Sequence, residues 1–131
     1  MTNSASRLPN GELQSGSTFE SVQVAGVSFT IRRMTLRQRI SLLQELHTLY
    51  LEREFSGAGS SQADRLHSQL TSLRIDDVFL RWAVTNVTGL QIDGRAVSAG
   101  ELAEFAPESL VCEILERIRE AVSLSQDEEK N

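Results

Sequence analysis

Apolar and polar positions alternate in two short runs near the start of the chain. Val22 and Val24 are followed by Ala25-Gly26, and then Val27, Phe29 and Ile31 alternate again. Two period-two runs around a Gly-containing dipeptide predict a β-hairpin with one apolar face. The period then changes. Leu36, Ile40, Leu43, Leu46 or His47, and Tyr50 follow helical spacing, widened by Leu42 and Leu49. Thr35 and Gln38 form a capping-box pattern at its start, and the helix is expected to reach about Phe55. Ser56-Gly57-Ala58-Gly59-Ser60-Ser61 predicts a loop.

A second helical stretch opens near Gln62 or Asp64. Leu66, Leu70, Leu73, Phe79, Trp82, Ala83 and Asn86 keep roughly one face, and Gly89 is a plausible stop. The stretch reads as one bent helix or as two, with Asp76-Asp77 restarting the second. Leu90-Gln91-Ile92-Asp93-Gly94-Arg95-Ala96-Val97 reads as a short extended pair around an Asp-Gly turn. Ser98 to Glu101 repeats the capping-box spacing ahead of a short helix ending near Phe105. Pro107 suits the start of a last helix, in which Val111, Ile114, Leu115, Ile118 and Val122 share a face. The predicted fold is an α-rich α+β one: a helical domain over residues 19–123 with a small N-terminal β-hairpin. Residues 1–18, rich in Ser, Asn and Gly, read as a flexible arm. Residues 124–131 read as an acidic flexible tail. Leu43, Leu70, Phe79, Trp82, Ile114 and Ile118 are the expected core.

At 131 residues the chain holds one modest core, and its single cysteine forms no internal disulfide. The first residues lack the apolar stretch of a secretory signal, and no apolar run approaches the ~20 residues that span a bilayer. The expected address is the cytoplasm, with no membrane partner.

Enzymatic chemistry finds few candidates. His47 and His67 fall on separate helices without ligand spacing, and Cys112 has no adjacent basic residue and reads as core filler. Asp76 and Asp77, as neighbours on a helix, diverge by about 100° and read as a cap. No catalytic, metal or cofactor site is expected. Arg32, Arg33, Arg37 and Arg39 form the densest charge cluster. Formal net charge is −5, no aromatics interleave the cluster, and from Asp93 onward ten acids face four bases. That polarity suits protein contacts better than a nucleic-acid backbone. The cluster, and Leu124 with Asp127, Glu128 and Glu129 in the tail, are the candidate partner-binding residues.

Several segments in this order carry a family likeness. They are the hairpin Val22-Gln23-Val24-Ala25-Gly26-Val27-Ser28-Phe29-Thr30-Ile31-Arg32-Arg33-Met34-Thr35, then Trp82-Ala83-Val84 and Val87-x-Gly89-Leu90. The Pro107-led helix and the close Leu124-Ser125-x-x-Glu128-Glu129-Lys130-Asn131 complete the set. Across roughly residues 20–131 the chain resembles tail assembly chaperones of long-tailed, siphophage-like bacteriophages. The resemblance implies a non-enzymatic factor of the host cytoplasm. Such a factor binds the tape measure protein, keeps it soluble and helps recruit tail tube subunits. A minor structural or adaptor subunit of a phage head–tail or tail-terminator complex is the alternative. Self-association stays open under both.

Overall fold

A computed structural model describes residues 15–130, with side chains described through residue 122. The elements run β1 (Gly16–Glu20), β2 (Ser28–Arg32), α1 (Leu36–Gly57), α2 (Gln62–Ala83) and β3 (Val84–Thr88). They continue with β4 (Gln91–Ile92), β5 (Arg95–Ala96), a 3₁₀ turn (Ala99–Glu101), α3 (Leu102–Phe105) and α4 (Glu108–Lys130). This is the α-rich α+β class the periodicities predict. Two compact units are distinguishable, one over Met34–Phe79 and the other over the described residues of Met1–Arg33 and Leu80–Asn131. One boundary falls inside the unbroken helix α2, where no change of composition could mark it.

In the unit built from both chain ends, β1, β2 and β3 form an antiparallel sheet in that order. Phe19 pairs with Phe29, and Phe29 with Val87. The Phe19 and Phe29 rings lie 5.8 Å apart and tilted. Phe29 and Ile31 are buried, as alternate residues of a one-faced strand must be. Thr18 and Thr30 hydrogen-bond across the opposite face at 2.9 Å.

The first hairpin strand is displaced from its predicted place. Val22 and Val24 lie in the connection, Val22 fully out in solvent at 80% exposure, and the strand is Gly16–Glu20. Pairing Phe19 with Phe29 removes an aromatic ring from water, which outweighs a valine pair. Part of the expected N-terminal arm, residues 16–18, is therefore strand; residues 1–14 lie outside the described chain. The Ser21 amide donates to the Val27 carbonyl at 2.8 Å to close the connection, and Gly26 takes φ +83° in its turn.

β3 replaces what helical spacing predicts as the end of the second helix. Four of its five residues (Val84, Thr85, Val87, Thr88) are β-branched, which favours extended backbone. Val84 and Val87 are both buried although three residues apart. A register shift pairs Thr30 with Asn86 but Ile31 with Val84, so Thr85 is the extra residue of a β-bulge. That extra residue turns both valines to one face. Gly89, at φ +82°, ends the strand rather than a helix.

The Asp93-Gly94 turn forms as predicted, both residues at positive φ (52° and 78°), joining β4 to β5. Glu101 accepts the Ser98 amide at 3.2 Å and its hydroxyl at 3.1 Å, and pairs with Arg95. The Ser98 amide and hydroxyl outweigh desolvation and, joined by the Arg95 charge, hold its carboxyl below the usual range. The Pro107 carbonyl accepts the first amides of α4, from Leu110 and Val111. Leu110, Ile114, Leu115 and Ile118 are buried and α4 lies against β2. Nothing after Pro107 is Gly or Pro, and α4 continues to Lys130, so residues 124–130 are helical rather than the expected coil.

The second unit is built from α1 and most of α2. The Thr35–Gln38 capping box is present in both directions, at 3.2 and 3.0 Å. Ser61 accepts the Asp64 amide at 3.0 Å to cap α2. Periodicity points the wrong face of α1 inward. Leu42, Leu46, Leu49 and Ser56 are buried, whereas Leu36, Ile40 and Leu43 are exposed. On α2, Thr71, Ile75 and Val78 are buried while Leu66, Leu70 and Leu73 are exposed. Leu43 and Leu70 thus fail as core, Phe79 and Trp82 are half-buried, and Ile114 and Ile118 are buried as expected. α1 carries apolar residues on two faces, and spacing alone does not say which one the chain covers. Asp76 and Asp77 lie mid-helix in an unbroken α2, so neither caps a restarted helix.

Candidate interaction surfaces

Glu113 projects from α4 to the β1–β2 connection. It accepts the Ser21 hydroxyl at 2.6 Å, the Val22 amide at 2.7 Å and the Gln23 amide at 3.3 Å. Ser21 in turn accepts the Val24 amide at 2.9 Å. One carboxylate thereby satisfies amides that the loop cannot pair with a strand. Desolvation by burial pushes the Glu113 carboxyl up. The Ser21 hydroxyl, the Val22 and Gln23 amides and the Arg117 charge outweigh it and hold the carboxyl below its ordinary value. Arg117, one turn on from Glu113, lies over the Phe19 ring at 4.9 Å and meets Glu120 at 3.7 Å.

A groove of about 420 Å³ borders this clamp, lined by Val22, Gln23, Cys112, Glu116 and Glu120 among others. Cys112 is exposed there, against the expectation of core filler. The helix is rotated so that Leu110, Ile114 and Ile118 face inward, which leaves position 112 on the opposite side. Among the described residues no group of three His, Cys, Asp or Glu side chains gathers at metal-binding spacing. His47 is exposed on α1. His67 Nε2 stands 3.9 Å from the Glu52 carboxylate, which also receives Arg74 at 3.4 Å. Those contacts bridge α1 and α2 at the surface and bring no nucleophile to either histidine.

The α1–α2 unit presents the larger apolar surface. Leu66, Leu70 and Leu73 sit at i, i+4 and i+7 on α2, each more than half exposed. On α1, Leu36, Ile40, Leu43, Leu51 and Phe55 are open, Phe55 at 87% exposure. A recess of about 490 Å³ beside Leu51 and Phe55 is floored by Ser56 and edged by Glu52, Asp64 and His67. Rows of large apolar side chains left open at helical spacing are the kind of surface onto which a partner's amphipathic helix packs. The sequence signal was available: two apolar faces on a helix with one neighbour of similar length.

Arg32 ends β2 and Arg33 follows it, whereas Arg37 and Arg39 lie in the first turn of α1, so the basic cluster is divided between the two units. Arg37 is exposed and Arg39 half-buried. Leu124, Asp127, Glu128 and Glu129 lie on the helical end of α4, with side chains outside the described residues. Among the described residues no helix is long and apolar enough to cross a membrane. The chain matches no family profile, no curated protein and no solved structure.

Proposed function

We propose that this chain is a tail assembly chaperone of a long-tailed bacteriophage. It acts in the host cytoplasm, binds the tape measure protein, keeps it soluble and helps recruit tail tube subunits. The observation that carries the reading is the open row Leu66, Leu70 and Leu73 on α2. Helical spacing of leucines is the pattern onto which an amphipathic helix packs by its own apolar stripe. A tape measure protein, long and helical, exposes such stripes until the tube encloses it. The family resemblance supplies the identity of that partner.

Co-expression with the tape measure protein of the same phage tests this. The full chain is expected to keep that protein soluble and to co-purify with it, and Leu70→Glu is expected to lose both while retaining helix content. Deleting residues 124–131 asks whether Leu124, Asp127, Glu128 and Glu129 contribute; weaker capture with unchanged stability assigns them a share. A full chain that captures neither the tape measure protein nor tube subunits, and is instead retained in assembled particles, makes it the head–tail or terminator adaptor.

A further inference from the structure

The exposed stripe of α1 has a symmetry that the stripe of α2 lacks. Turned end for end about the midpoint between Glu45 and Leu46, α1 maps Leu36 onto Phe55 and Ile40 onto Leu51. Leu43 falls beside the midpoint. All five are exposed, between 47% and 87%. The same operation brings Arg37 level with Glu54. Both are exposed, and neither has an ion-pair partner among the described residues. An apolar row that repeats under reversal, with charges that change sign under it, suits an antiparallel isologous contact, in which residue i of one copy meets j of the other and j meets i. The α2 row, Leu66, Leu70 and Leu73, occupies one half of its helix, and reversal about the midpoint of α2 sets Leu66 on the half-buried Phe79 and Leu70 on the buried Ile75.

We propose that the exposed face of α1 is a self-association surface, on which the α1 of a second copy packs antiparallel about a two-fold axis near residues 45 and 46. Antiparallel packing sets each Arg37 toward the partner's acidic end and opposes the two helix dipoles. Parallel packing sets Arg37 against Arg37 and Glu54 against Glu54, so the charges select the orientation. The helix spans about 33 Å and is about 10 Å wide, a contact smaller than a standard stable interface. Association is therefore concentration-dependent. The α2 row stays open on each copy, and the inference is independent of any tape measure protein.

Sedimentation of the full chain over about 1 to 500 μM tests it, a range suited to a small contact. A monomer–dimer equilibrium is expected. Ile40→Glu and Leu51→Glu each raise the dissociation constant at least about tenfold, as charge buried in an apolar contact does, without loss of helical signal. Arg37→Glu weakens the dimer several-fold, and Arg37→Glu combined with Glu54→Arg recovers it. Cysteine cross-linking in a Cys112→Ser background reads the orientation. Positions 40 and 51 lie about 16 Å apart along one helix, beyond the ~7 Å that a disulfide bridges. Ile40→Cys with Leu51→Cys gives cross-linked dimer under oxidation, whereas Ile40→Cys alone does not. A chain that stays monomeric throughout, a dimer indifferent to Ile40→Glu and Leu51→Glu, or cross-linking by Ile40→Cys alone overturns the proposal.

Discussion

Replacing Glu113 by Ala removes the one group that accepts the Ser21 hydroxyl and the Val22 and Gln23 amides. A hydrogen bond to a charged acceptor contributes about 1.5 to 3 kcal/mol when shielded from water. Here the carboxylate is only half-buried, and the 3.3 Å bond from Gln23 lies beyond the common range. Released amides at the loop surface also find water. Solvent screening reduces the two short bonds to a combined loss of about 2 kcal/mol, well under the additive figure. Glu113→Gln keeps one acceptor oxygen and is expected to lose about half as much.

The loss has a pH signature. Because the Glu113 carboxyl is held below its ordinary 4.5, the folded state binds its proton less readily than the unfolded chain does. Its contribution is fully present above that ordinary value and disappears as pH falls through the folded value. Urea denaturation of the parent and the alanine variant is therefore expected to separate the two at pH 7 and to bring them closer at an acid pH below 4.5. Hydrogen exchange at the Val22 and Gln23 amides locates the effect in the loop. A difference under about 0.5 kcal/mol at pH 7, or one of equal size at both pH values, refutes the clamp.

Further substitutions probe both units. A Cβ on Gly89 would stand 2.0 Å from the Gly26 carbonyl oxygen with φ at +82°, so Gly89→Ala is expected to destabilise by about 3 kcal/mol or more in urea denaturation. Gly94 has a similar φ but open surroundings, so Gly94→Ala is expected to lose only about 1 kcal/mol by the same measurement. Ile114→Ala, at a fully buried position, is expected to lose about 2 to 5 kcal/mol and lower the denaturation midpoint accordingly, whereas Leu70→Ala on the open row stays within about 0.5 kcal/mol.

Much of what the sequence determines lies within one turn of chain. Thr35 and Gln38 cap α1 because donor and acceptor are three residues apart and need no other partner. Asp93-Gly94 closes β4 on β5 because positive φ is tolerated there, and Pro107 opens α4, whose apolar spacing has one dominant face. The absence of Gly and Pro beyond Pro107 was equally legible, and composition alone suggested a coil where the helix in fact continues. Other features depend on distant residues. Phe19 becomes strand because Phe29 lies opposite, and Val84 to Thr88 becomes strand because β2 offers a free edge more than 50 residues away. Glu113 holds a loop about 90 residues earlier in the chain, a role that its spacing to Arg117 conceals. The candidate interaction face is the clearest case. α1 has two apolar faces of comparable strength, and hydrophobic periodicity is blind to which is covered. Leu42, Leu46 and Leu49 turn inward and Leu36, Ile40 and Leu43 remain open, a choice made only by what else the folded chain can place against the helix.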